Sequence, residues 1–134
     1  MIGGIQVSFD LIHHIAIICH DREKALDFYV RKLGFEIVSD HKRVEKKDEK
    51  IDIKKGEIQL ELFIKPNAPS RLSYPIGEGT GLRHLAFKVN NIEEIVKELQ
   101  SLNIVVEDIR VDDFTGEKMT FFFDPDDLPI ELHE

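Results

Sequence analysis

A single cysteine, Cys19, is all that the 134 residues contain. An internal disulfide is therefore excluded, and a structural zinc site built on several thiolates is disfavoured. Cys19 reads as a small apolar strand residue in a reducing compartment. No uninterrupted apolar stretch approaches the roughly 20 residues that a membrane helix needs. The opening decapeptide MIGGIQVSFD (1–10) lacks the basic start and apolar block of a secretory signal, so a cytoplasmic protein is expected. Positive charge is the minority sign: 18 Lys and Arg against 26 Asp and Glu give a formal net charge of −8. A nucleic-acid duplex or an anionic membrane would repel such a surface on average, so neither is expected as a partner. The densest basic stretch, DHKRVEKKDEK (40–50), is mixed in sign and reads as a solvated turn or loop.

What is present is globular. Hydrophobic residues make up 42% and charged residues 33%, enough for one ordinary domain with a real core. Apolar alternation marks a strand from His13 to Cys19. Asp21 can cap a helix running to about Leu33, with Leu26, Tyr29, Val30 and Leu33 on one face and Gly34 as the stop. Phe35 to Ser39 reads as a strand. Ile51–Lys55 and Ile58–Ile64 read as a hairpin turning at Lys-Gly-Glu (55–57). KPNAPSRLSYPIGEGTG (65–81), with three prolines and three glycines, reads as a linking loop.

The order then begins again. Arg83–Val89 reads as a strand, and Asn90 or Asn91 caps a helix carrying Ile92, Ile95, Val96, Leu99 and Leu102. Val105–Val111 follows as a strand. Met119–Phe123 and Leu128–Leu132 form a hairpin around Pro-Asp-Asp (125–127). The second half repeats the first at an offset of 70 residues, with no gap required. His14 falls on His84 and Glu61 on Glu131. Ala16 falls on Ala86, Leu26 on Val96, Tyr29 on Leu99, Ile53 on Phe123 and Leu62 on Leu132.

Successive strand residues point to opposite faces. If Ile15, Ile17 and Cys19 pack against the helix, then His14, Ala16 and Ile18 face away from it. By the same count Glu61, His84 and Glu131 also face away. His13 falls on Arg83, lies outside the repeated set and reads as a solvent-edge side chain. His20, His41 and His133 read as turn or surface residues. Two imidazoles and two carboxylates on the non-helix faces suggest a metal site, for which Zn, Ni, Co, Mn or Fe(II) is suitable. Four such ligands on an octahedral ion leave two positions for water or substrate oxygens. An ion so placed can polarise a carbonyl or hold an enediolate as a Lewis acid.

HHIAIICHDREKALDFYVRKLGFEIV (13–38), GLRHLAFKV (81–89) and FFFDPDDLPIELHE (121–134) resemble the signatures of the vicinal oxygen chelate superfamily. That superfamily includes glyoxalase I, fosfomycin-resistance proteins, methylmalonyl-CoA epimerase and extradiol dioxygenases. RVDDFTGEKMTFFFDPD (110–126) is similar to a segment of small bacterial lactoylglutathione-lyase-like proteins. The resemblance runs from about Leu11 to Glu134. It implies an α+β fold of two tandem βαβββ modules forming a cup-shaped mixed β-sheet. The modules span about 11–65 and 82–134, joined by loop 66–81, with 1–10 as an N-terminal extension. The resemblance also implies one divalent transition metal held by His14, Glu61, His84 and Glu131, with Glu61 and Glu131 as the acid/base pair. Homodimers are common in the family, and in some members one site takes ligands from both chains.

Glu61 selects a branch. Extradiol dioxygenases and fosfomycin thiol transferases resemble two-His, one-Glu sites, and the epimerase has Gln at this place. The bacterial glyoxalase I has Glu, so the resemblance implies a lyase or isomerase moving a proton next to a carbonyl on a small substrate, such as the methylglyoxal–thiol hemithioacetal. That enzyme also has an Arg four residues after its first ligand His, which pairs with a glutathione carboxylate. Here the position is Ile18. Lys88, at the matching place in the second half, or Arg43 at the rim is a candidate substrate-binding cation, and Phe63 a candidate pocket wall. The rival expectations are a small-ligand-binding protein of the bleomycin-resistance type and an Fe(II) dioxygenase.

Overall fold

A computed structural model describes residue 4, residues 6–72 and residues 77–134. Met1–Gly3 and Ile5 of the leading segment, and Pro75 of the linking loop, lie outside the described residues. The chain is two βαβββ modules, each built on one four-stranded mixed sheet. Module one holds β1 (Ile15–Cys19), helix α1 (Arg22–Leu26, continuing to Lys32), β2 (Glu36–Arg43), β3 (Asp48–Lys55) and β4 (Ile58–Ile64). Module two holds β5 (Leu85–Lys88), α2 (Ile92–Ser101), β6 (Arg110–Val111), β7 (Lys118–Phe123) and β8 (Pro129–His133). The sheet orders are β1-β4-β3-β2 and β5-β8-β7-β6, with β1–β4 and β5–β8 parallel and the remaining pairs antiparallel.

Local chemistry explains each helix. The Asp21 carboxylate accepts from the Lys24 N–H at 3.0 Å, and the Asn91 side chain from the Glu94 N–H at 3.3 Å. Each satisfies one of the backbone donors that a helix start leaves free. Gly34 ends the first helix at φ +84°, a left-handed position that glycine adopts without steric cost. Asn103 does the same after α2 at φ +63°. Ile92, Val96 and Leu99 form the buried stripe of α2. They join Ile51, Ile53, Leu60, Leu62, Ile130 and Phe122 in one core shared by the modules.

The two modules are not related by a single offset. Asp21 matches Asn91 at 70 residues, but Gly34 matches Asn103 at 69. The extra residue is absorbed where α1 widens into a π-helical turn over Asp27–Lys32, with the Leu33 N–H donating to the Phe28 carbonyl at 2.9 Å. The wider turn buries two consecutive aromatics, Phe28 and Tyr29. The matching pair in α2 is Glu98, which is exposed, and Leu99, which is buried.

The 69-residue offset persists through the next strands. Ile53 pairs with Leu60 and Phe122 pairs with Ile130, so Ile53 corresponds to Phe122 and not to Phe123. Burial agrees, since Ile53 and Phe122 are core residues while Phe123 is 41% exposed. The β7–β8 turn is one residue longer than the β3–β4 turn, Lys54–Gln59 matching Phe123–Pro129, and this restores the offset of 70 before Glu131. The expectation of a gapless repeat is therefore corrected by two compensating insertions.

Two strand assignments also change. The run 40–50 is not a loop: β2 extends to Arg43 and β3 begins at Asp48, leaving a turn at 44–47. Both strands carry polar residues on both faces there, so no apolar alternation announced them. The expected strand 105–111 shrinks to Arg110–Val111 with one isolated bridge, Val106 to Phe122. There the buried Thr120 hydroxyl donates to the Glu107 carbonyl at 2.6 Å, while the Glu107 N–H still donates to the Phe121 carbonyl at 2.9 Å.

Candidate metal centre

The parallel pairing of β1 with β4 sets Ala16 opposite Glu61, and that of β5 with β8 sets Ala86 opposite Glu131. A histidine immediately before each outer strand then falls beside the carboxylate. His14 Nε2 lies 3.4 Å from Glu61 Oε2, and His84 Nε2 lies 3.1 Å from Glu131 Oε1. Both carboxylates are buried, yet each faces away from the helices because its neighbours Leu60, Leu62, Ile130 and Leu132 fill the core. Two donor atoms about 2.1 Å from one ion and at right angles to each other lie about 3 Å apart. Each His–Glu pair has that spacing, with borderline nitrogen and hard oxygen donors suited to a divalent transition metal.

The ring orientations are set by neighbours. His14 Nδ1 lies 2.9 Å from Nδ1 of His13, which leaves Nε2 directed at Glu61. His84 stands edge-on to Phe121, with ring centroids 5.2 Å apart. His13, expected to be idle, therefore orients a candidate ligand.

The chain does not gather all four residues. No three of His14, Glu61, His84 and Glu131 place their donor atoms mutually within 4.8 Å. Trans ligands of one octahedral ion would be about 4.2 Å apart, and within one chain these four residues form two separate His–Glu pairs.

A family model described as the Glyoxalase/Bleomycin resistance protein/Dioxygenase superfamily matches residues 11–132. The chain belongs to this superfamily. It is 49% identical over 124 residues to the Bacillus subtilis (strain 168) protein YwkD, whose function is uncharacterised, covering 92% of this chain and 95% of that one. It is 45% identical to the Escherichia coli (strain K12) protein YaeR, also uncharacterised, with the same coverage. A solved structure of a glyoxalase family protein from Enterococcus faecalis shares 55% identity and superposes with a TM-score of 0.90, over 94% of this chain and 98% of that one.

On this superfamily fold the expected substrate-binding residues take separate positions. Arg43 makes a two-pronged ion pair with buried Asp48, at 2.8 and 2.6 Å, and lies over the Phe63 ring at 5.4 Å. Lys65 adds a third contact to Asp48 at 3.1 Å. Hydrogen bonding from Arg43 holds the Asp48 carboxyl at about 2, below the usual carboxylate range and against the opposing effect of burial. Lys88 borders a hollow beneath α2 walled by Phe87, Val89 and Ile95. His84 lines two other hollows: an apolar one between the β1 and β5 edges, and one of about 350 Å³ walled by Arg71, Arg83, Arg110 and Phe121.

Three residues near the candidate ligands were not singled out by the sequence. Lys50 Nζ lies 3.4 Å from Glu61 Oε1 and 3.3 Å from Asp52 Oδ1, and Ser39 donates to the other Asp52 oxygen at 2.5 Å. The alternation Lys50, Ile51, Asp52, Ile53 carried the signal, since burial of both isoleucines turns Lys50 and Asp52 to the Glu61 side. His133 is no mere surface residue. It is part-buried, lies 3.2 Å from Asp112, and shares a cluster with Asp112 and Glu131. His20 keeps its place in the bend after β1, and its ring lies 2.7 Å from Asp126 and 2.6 Å from the Ala68 carbonyl, tying β1 to the loop and to the β7–β8 turn.

Proposed function

We propose that this protein is a metal-dependent lyase or isomerase of the glyoxalase I type, moving a proton next to a carbonyl on a small substrate. The observation that carries the reading is the recurrence of one His–Glu pair, at ligand spacing, in the same strand register of both modules. His14, Glu61, His84 and Glu131 would hold one divalent ion. When bound, that ion supplies Lewis-acid polarisation of the substrate oxygen. Glu61 and Glu131 would be the acid/base pair, one to accept the proton and the other to return it. The hollow beside His84 receives the substrate, with Phe121 as its apolar wall. A reducing, cytoplasmic setting suits the buried free thiol of Cys19.

Because each chain presents two separate His–Glu pairs, the active species in this reading is a homodimer, with His14 and Glu61 of one copy meeting the second pair of the other. Elemental analysis of the wild type and His84→Ala tests the site: about one transition-metal ion per chain is expected, with loss in the variant. Metal-free wild type after incubation with Ni, Zn, Mn or Fe(II) overturns the reading. Co-refolding His14→Ala with His84→Ala tests the sharing. A mixed dimer then has one intact shared site, so about a quarter of wild-type metal returns. A site within one chain would recover none. Isomerisation of the methylglyoxal–glutathione hemithioacetal is the first activity to assay on the loaded protein.

A further inference from the structure

We propose that Lys50 is the positioning residue of the candidate metal centre: it holds the outer oxygen of Glu61, so that only Oε2 faces the ion. The inference rests on the metal reading above and concerns residues that reading leaves unused. Glu61 is gripped from both sides, by His14 Nε2 at Oε2 and by Lys50 Nζ at Oε1, each at 3.4 Å. A carboxylate with an ammonium at one oxygen favours metal binding through the other, and its swing between one-oxygen and two-oxygen binding is disfavoured.

The lysine is itself anchored. Its ammonium lies between Glu61 and Asp52, and Asp52 is fixed from behind by the Ser39 hydroxyl. Asp52 Oδ1 is buried and makes no hydrogen bond, so Lys50 Nζ at 3.3 Å is its compensating charge. The ammonium is drawn by two carboxylates and belongs to neither alone.

Module two has no such device. The strand pairing matches Lys50 to Met119 and Asp52 to Phe121. The ionisable neighbours of Glu131 besides His84 are His133 and Asp112, and these two are already tied to each other. The pseudo-symmetric centre is therefore asymmetric in its support. Glu61 is braced by a lysine, while Glu131 pairs with no lysine or arginine among the described residues.

Charge and hydrogen bonding make opposite predictions for the removal of Lys50. Deleting a positive charge near a bound cation, taken alone, tightens metal binding. Deleting the group that orients a ligand weakens it, typically 10- to 100-fold. The test is the Co(II) and Zn(II) affinity of the full-length wild type, Lys50→Met, Lys50→Gln and Lys50→Arg, by chelator competition, with the visible spectrum of the Co(II) form. Positioning predicts at least tenfold weaker binding and a shifted Co(II) spectrum in Lys50→Met. Lys50→Arg, which keeps donor and charge, should restore both. Lys50→Gln, which keeps a donor without the charge, should lie nearer to the wild type than to Lys50→Met. Unchanged or tighter binding in Lys50→Met, with an unchanged spectrum, overturns the assignment while leaving the metal site standing. A wild type that binds no metal overturns the underlying reading instead. Circular dichroism separates either result from misfolding, and an unfolded Lys50→Met leaves the decision to Lys50→Gln, whose spectrum and affinity must then depart from those of Lys50→Arg.

Discussion

The two modules share a backbone and differ in the wall that surrounds the shared pair. On the side of the sheet away from the helices, module one surrounds Glu61 with Ser39, Lys50 and Asp52. At the matching places module two has Asp108, Met119 and Phe121, and Phe121 carries His84 on its edge and Arg110 on its face. Of the polar side chains on that face, the His–Glu pair is what recurs in both copies. One module has a charged wall and the other an aromatic one, so under the proposed function a shared site would lie between unlike surfaces. Internal repetition is thus informative twice: identity across the copies points to the candidate ligands, and divergence points to what differs around each pair.

The largest predicted difference lies in the turns after β3 and β7. The tight β3–β4 turn at Gly56–Glu57 has exposed flanks. The longer β7–β8 turn is organised by Asp124, whose carboxylate accepts from the backbone N–H of Asp126 and Leu128 at 2.8 and 2.9 Å and from the Tyr29 hydroxyl at 2.6 Å. The last bond crosses from the first helix into module two. Burial pushes both the Asp124 carboxyl and the Tyr29 hydroxyl upward. Asp124→Ala strands three donors and should cost about 3 kcal/mol in urea unfolding, with Tyr29→Phe costing about 1–2 kcal/mol. Lys55→Ala, at the matching exposed place in module one, should stay within about 0.5 kcal/mol. Equal losses at both turns would break the comparison.

A smaller effect is expected where the modules solve one turn differently. Between β2 and β3 the left-handed position is Lys47 at φ +51°, and between β6 and β7 it is Gly116 at φ +75°. A side chain there costs roughly 1 kcal/mol against glycine, partly offset by the greater freedom of glycine in the unfolded chain. Gly116→Lys should therefore destabilise by about 1 kcal/mol, and Lys47→Gly should be neutral or stabilising by a few tenths. Thermal unfolding of the two variants, read against the wild type, checks the signs.

The central strands of both sheets were legible because burial on one face leaves an alternation that the sequence prints plainly. Leu60, Leu62, Ile130 and Leu132 read inward, and Glu61 and Glu131 read outward by subtraction. The shift at β7 was hidden because Thr-Phe-Phe-Phe (120–123) is apolar on both faces, so a slip by one residue changes nothing visible. The hairpin at 40–50 was hidden for the opposite reason, being polar on both faces. Lys50 lay inside that misread run. The separation of the His14–Glu61 pair from the His84–Glu131 pair depends on how the modules pack, and no spacing along the chain encodes it.

The smallest expected effect sets Asp48 of module one against its counterpart Glu117, which is exposed in module two. Arg43 and Lys65 stabilise the charged form of Asp48 and hold its pKa at about 2, below its value in the unfolded chain, near 4. The stability this provides is fully present above the unfolded value, and it is lost as pH falls through the interval between about 4 and about 2, where the unfolded chain takes up a proton before the folded one. Both basic partners are partly solvated, so the effect stays modest and should weaken in salt. Asp48→Asn should therefore lower the melting temperature at pH 6, with the gap to wild type closing as pH drops towards 2. Glu117→Gln should show no such convergence, because it makes little difference at either pH. A gap for Asp48→Asn that is constant across the interval would mean that the Arg43 contact contributes through packing against Phe63 and not through its charge.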